Sequence, residues 1–96
     1  NFTLGDTQNI ISYDTDREVQ GIEHLSRLFE AITAQQALEI TYQPYNKESY
    51  TRVVHPYYIK QYNGRWFLFG LEINEPYRNL TNMALDRIQK IDVSLG

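Results

Sequence analysis

The chain has 96 residues, 42% hydrophobic and 14% aromatic, which suits one compact domain burying roughly 60–65% of its unfolded surface and leaves no room for a second. No apolar run approaches the roughly 18 residues that span a bilayer, and the absence of cysteine excludes a disulfide framework and a thiolate metal site, leaving only His24 and His55 as imidazole donors. The formal charge of −3 argues against strong nonspecific nucleic-acid binding, yet it is uneven: residues 1–39 carry seven acids and two bases, net −5, and residues 40–96 five acids and seven bases, net +2.

In chain order, residues 1–20 read as a polar approach segment with one apolar knot at Ile10, Ile11 and Tyr13, and residues 21–96 as the domain. The start without Met reads as a piece of something longer, and a cytoplasmic setting fits the lack of cysteine. Asn1-Phe2-Thr3 and Asn79-Leu80-Thr81 match a glycosylation triplet that arises often by chance.

In GIEHLSRLFEAITAQQ, Ile22, Leu25, Leu28, Phe29 and Ile32 recur at spacings of three and four, which predicts a helix over 21–36 with one apolar face. His24 falls off that face, toward solvent. From Leu38 the period becomes two: LEITYQ and SYTRVVH, separated by a loop around Pro44, form a hairpin. Pro56 marks a bend or edge before the next run, YYIKQY. Asn63-Gly64 supplies the two positive-φ residues of a type I′ turn, and RWFLFGLEI runs back. After a loop at Pro76, LTNMAL reads as a further strand. DRIQKIDV stays open, because Ile88 and Ile91 suit a helix whereas Ile91 and Val93 suit a strand. One helix followed by short, closely spaced strands predicts a mostly β fold, a small, strongly bent five-stranded barrel.

The stretch HPYYIKQYNGRWFLFGLEINEPYRNLTNMALDRIQKI resembles the WYL domain, in which a His-Pro or similar pair, an NG-type turn, the Trp-Tyr-Leu triplet and a terminal Asp-Arg-Ile follow at these spacings. The upstream helix and ITYQP are also similar to that family, so the resemblance covers about residues 20–94. Phe67 departs from the naming triplet and loses its hydroxyl. The resemblance implies an Sm-like, SH3-type barrel that sits behind a winged helix-turn-helix in bacterial transcription regulators. It further implies a nucleotide-like or single-stranded nucleic-acid ligand and a signal passed to a DNA-binding domain absent from this chain.

Seven of the eight tyrosines lie at or after Tyr42, interleaved with Arg52, Lys60, Arg65, Arg78 and Arg87. Rings that stack on bases, beside guanidinium groups that bind phosphate, suit such a ligand; equally, tyrosine favours strands and keeps its hydroxyl wet. The candidate ligand residues are Arg52, His55, Arg78 and Arg87 with Tyr42, Tyr58 and Tyr62. The resemblance singles out Arg78 and Arg87 for phosphate, with Arg87 alternatively a structural partner of Asp86 or another acid. His55 can donate to a phosphate or cap its strand.

Trp66 and Leu68 share one face and are expected inside, while Phe67 and Phe69 point away. Their cover is the helix, a neighbouring subunit or a stacked base. No Gly-rich phosphate loop, nucleophile elbow or zinc-helix motif is present, so no enzyme and no cofactor are expected. The alternative to ligand sensing is a ligand-free dimerisation module in which the arginines are solvated. Either way a homodimer is the expected state.

Overall fold

The computed structural model describes residues 21–95; the 1–20 approach segment lies outside the described residues. Helix α1 spans Leu25–Ala34, followed by β1 (Leu38–Tyr42), β2 (Tyr50–Tyr62), β3 (Arg65–Asn74), β4 (Tyr77–Ala84), a single 3-10 turn at Leu85–Arg87, and β5 (Ile88–Val93). All strand pairs are antiparallel, in the order β4-β3-β2-β1-β5. The expected helix and five strands are therefore present as a strongly bent sheet whose outer strands, β4 and β5, do not hydrogen-bond to each other.

The strands differ from the expectation in two respects: β4 begins at Tyr77, so Tyr77, Arg78 and Asn79 belong to the strand rather than to the loop at Pro76, and SYTRVVH and YYIKQY are one continuous strand. Pro56 interrupts nothing because the neighbouring β1 ends at Leu38, opposite Val54. Just beyond it the register with β3 skips from Pro56 to Tyr58, a bulge that bends β2. Gly70 permits this bend, since a methyl there would lie 2.4 Å from the His55 carbonyl oxygen. At the hairpin tip Asn63 (φ 52°) and Gly64 (φ 73°) both adopt positive φ, as the I′ reading requires.

DRIQKIDV resolves into the 3-10 turn plus β5. Tyr42 pairs with Ile88 and Thr41 with Lys90, leaving Gln89 as an extra residue. That insertion turns both Ile88 and Ile91 inward at a spacing of three, which explains why the stretch reads as helix and strand at once.

The core consists of Leu28 and Ala31 from α1 with Leu38, Ile40, Tyr42, Val54, Leu68, Met83, Ile88 and Ile91 from the sheet and Leu85 from the 3-10 turn; Leu25, Ile59 and Trp66 pack at its margin. The apolar face of α1 is rotated from its expected centre: Phe29 is 54% exposed, and Ile22, which precedes the helix, 42%. His24 is not turned to solvent. Its side chain is 13% exposed, and Nε2 lies 3.1 Å from the Ile88 carbonyl oxygen, which can only accept, so this nitrogen carries the proton. None of the described helices is long and apolar enough to cross a membrane.

Candidate functional site

Cross-strand pairing sorts the sheet's side chains into two faces. Leu68 pairs with Met83 and Ile59, on the side covered by α1. The alternate residues form transverse rows on the opposite side: Tyr62 with Arg65; Lys60 with Phe67 and Ala84; Tyr58 with Phe69 and Asn82; His55 with Leu71 and Leu80; Val53 with Ile73 and Arg78. Because α1 packs on the inner face, it does not cover Phe67 and Phe69, contrary to one expectation. Trp66 and Leu68 point inward as expected, although Trp66 is only partly buried.

On this outer face Tyr58 and Phe69 stack, with ring centroids 4.9 Å apart and planes 10° from parallel. Beside them Lys60, Tyr62, Phe67, Phe69 and Asn82 line a shallow slot of about 140 Å³. Across β2, β3 and β4 the rows contain four cationic or titratable basic positions, Lys60, Arg65, Arg78 and His55, and no carboxylate; the Val53 row continues to Glu39 of β1 and Asp92 of β5. Glu72, the acid of β3's central region, pairs with Val54 and lies on the inner side. At roughly 3.4 Å per residue the rows extend about 27 Å.

The structure thus places His55, Tyr58, Tyr62 and Arg78 on one face and separates them from the other three candidates. Tyr42 belongs to the core: it is 8% exposed, and its hydroxyl oxygen accepts the Ala84 N–H at 3.1 Å. Arg52 lies on the inner side at the sheet's margin, its guanidinium 4.8 Å from the centre of the Tyr50 ring and its Nε 3.8 Å from Glu72. That Nε is buried and has no hydrogen-bond partner among the described residues. Burial, then the Glu72 carboxylate, pushes the Tyr50 hydroxyl above its ordinary pKa.

Arg87 stands apart, at the 3-10 turn. Its guanidinium lies 5.4 Å from the centre of the Tyr45 ring, and the two residues line an open cleft of about 600 Å³ with Gln43, Pro44 and Gln89. Asp86 is engaged by Arg65 rather than by Arg87, through two hydrogen bonds of 2.8 Å. This bidentate pair raises the Arg65 pKa through the hydrogen bonds to Asp86 and removes Arg65 from the free cations, holding it over the Phe67 ring at 5.4 Å. Arg78 is exposed and reaches Glu75 at 3.3 Å across the β3–β4 turn.

The family model of the WYL domain matches residues 23–93. The chain belongs to the WYL domain family. Among solved structures it is similar to Proteasome accessory factor B/C (PafBC) of Arthrobacter aurescens, with a TM-score of 0.70, 17% sequence identity, and coverage of 79% of this chain and 12% of that one. At that identity the likeness establishes the fold. No curated protein sequence matches the chain. In this WYL domain the naming triplet is split between the faces: Trp66 and Leu68 serve the core, and the departing residue, Phe67, lies on the outer face, where it gives the slot an apolar ring without a hydroxyl.

Sequence reasoning did not single out Asn82 or Tyr45 as site residues. Asn82 becomes visible only through its register with Phe69. Tyr45 had a local signal, since it sits in a Pro-Tyr-Asn loop where an aromatic ring has no strand to serve; it is 74% exposed.

Proposed function

We propose that this WYL domain is the effector-sensing part of a bacterial, cytoplasmic transcription regulator and acts by binding rather than catalysis. Its ligand is nucleotide-like or a short single-stranded nucleic acid, and the signal goes to a helix-turn-helix DNA-binding domain elsewhere in the parent chain. The observation that carries this reading is the outer face itself. In a domain of net charge −3, the β2–β3–β4 part of this face has no carboxylate in its rows and sets stacked aromatics beside Lys60, with His55 and Arg78 in the rows that follow, while the acids of the same face, Glu39 and Asp92, lie at its β1–β5 end. Stacking on bases and neutralisation of phosphates need that combination.

The test is a titration with labelled single-stranded oligonucleotides and free nucleotides, followed by anisotropy and Trp66 fluorescence at low and moderate salt. Saturable binding that weakens with salt is expected. Arg78→Ala weakens it and lowers the salt dependence by about one phosphate. Loss in Arg87→Ala alone moves the ligand to the Tyr45 cleft. A folded protein that binds none of these at low salt ends the proposal.

The β4 edge favours a second reading, a dimerisation module. Its free edge carries Tyr77 at 65% and Leu80 at 81% exposure, and Arg78, paired with Glu75, is the one charged residue within the strand. The β5 edge, by contrast, presents Lys90 and Asp92, the kind of charge that discourages strand addition. Sedimentation separates the readings: a stable dimer indifferent to every anion supports the module, and a monomer at high concentration removes it.

A further inference from the structure

We propose that the slot framed by Lys60, Tyr62, Phe67, Phe69 and Asn82 seats one unpaired nucleobase, with the Lys60 ammonium on the adjoining phosphate and the Asn82 carboxamide on the base edge. This rests on the ligand-sensing reading and assigns it a place and a recognition chemistry.

The slot's walls follow from register. Phe67 and Phe69 alternate along β3 to the outer face, and their β2 partners are Lys60 and Tyr58. On β4 their partners are Ala84 and Asn82. Ala84 has only a methyl to offer and Arg65 lies over the Phe67 ring at 5.4 Å, so on the β4 side Asn82 is the polar group that lines the slot. Tyr58, stacked flat on Phe69 at 4.9 Å, fixes the tilt of that ring from outside the slot. About 140 Å³ accepts one planar ring system and leaves sugar and phosphate at the mouth, where Lys60 stands.

The polar groups there are unengaged. Lys60 makes no ion pair and the Asn82 side chain no hydrogen bond among the described residues. Arg65, the nearest other cation, is already committed to Asp86. The slot therefore offers a cation for one phosphate, π faces for one base, and a carboxamide whose paired donor and acceptor can read a base edge. With no carboxylate in the surrounding rows, nothing there repels a phosphodiester, and an acidic aromatic peptide is the competitor the experiment must separate.

The test uses the full chain and a short oligothymidylate carrying one 5-iodouracil, photocrosslinked, digested with trypsin and mapped by mass spectrometry. Adducts are expected in Gln61–Arg65 or Trp66–Arg78, the peptides that carry Tyr62, Phe67 and Phe69. Phe67 and Phe69 are half-buried, so truncating them mixes folding with binding; the exposed Lys60 and Asn82 carry the mutational arm. Lys60→Gln and Asn82→Leu are each expected to weaken oligonucleotide binding roughly fivefold or more, with Lys60→Gln also lowering the salt dependence by about one phosphate. Adducts confined to Leu28–Lys47, which carries Tyr45, overturn the slot and leave the sensing reading intact. Unchanged affinity in both variants overturns the slot as well. Absence of binding by the folded, unaltered chain overturns both, as does displacement by an acidic aromatic peptide in preference to any oligonucleotide.

Discussion

The two faces of the sheet are made by the same strands and differ in almost everything else. The centre of the inner face is aliphatic and closed: Ile40, Val54, Leu68 and Met83 are each 0% exposed. On the outer face Phe67 and Phe69 are only half-covered, Tyr58 is 53% and Leu80 81% exposed, and the polar residues that β2, β3 and β4 contribute are cationic or neutral. Strand β3 contributes to both, Leu68 inward and Phe67 and Phe69 outward. Removing apolar area from water stabilises the fold by about 25 cal/mol per Å², so the inner face is explained by folding alone. The outer aromatics gain only part of that stabilisation, and their composition answers to something other than stability.

Substitutions on the two faces should therefore separate stability from binding, and the Arg65–Asp86 pair, which ties the hairpin end of β3 to the 3-10 turn, should show the largest effect. Asp86 is 3% exposed and Arg65 21%. Arg65→Ala leaves a buried carboxylate without its partner, which costs about 3–5 kcal/mol and is measured by urea unfolding. Asp86→Ala should cost less, because the freed guanidinium can turn to water. Equal costs would mean that the two ends of the pair are equally buried in solution. Leu68→Ala comes next, at about 2–5 kcal/mol from lost transfer energy and the cavity left behind. A loss below about 1 kcal/mol would abolish the contrast between the faces. Tyr42→Phe tests the inner face at a single atom. It strips the Ala84 N–H of its acceptor where no water reaches, for about 1–3 kcal/mol, with oligonucleotide affinity unchanged if Tyr42 has no part in the ligand site.

Much of the fold was legible because local chemistry and tertiary structure agree. Asn63-Gly64 specifies its turn whatever surrounds it, and Leu38, Ile40 and Tyr42 alternate as a half-buried strand must. Where the reading stalled, a bulge had changed the parity. In β2 the inward residues run Val54, Pro56, then Ile59, and in β5 Ile88, then Ile91, each skipping one position where an extra residue enters. A period-two template cannot see such an insertion, and a spacing of three imitates a helix. The rotation of α1 had another cause: Ala31, too small to weigh in the periodicity, is the residue that fits against the sheet, and Phe29 is left outside. The candidate site was half-legible. Residue type pointed to His55, Tyr58, Tyr62 and Arg78, but type alone could not tell that Tyr42 and Arg52 face the other way or that Arg65 is held by Asp86. Those assignments depend on register across the sheet, which no local signal carries.

The smallest expected effect on stability is also the one that discriminates between uses of the outer face. Leu80 is 81% exposed and sits opposite Leu71 on the edge strand. Replacing it with Thr introduces the β-branching suited to a strand and removes apolar surface that the monomer hardly buries, so the unfolding free energy should move by less than about 0.5 kcal/mol. If the edge pairs with a second copy, however, the same substitution withdraws an apolar contact from the interface, and the sedimentation coefficient falls toward the monomer with the melting curve becoming concentration-independent. If the outer face serves a single strand through Lys60 and Asn82, neither sedimentation nor oligonucleotide affinity changes, because Leu80 lies one row beyond the slot, beside Leu71 rather than Phe69. A loss of more than about 1 kcal/mol in a monomer would show instead that this end of the face is covered from within the chain, and would confine the open surface to the rows from Tyr58 to Tyr62.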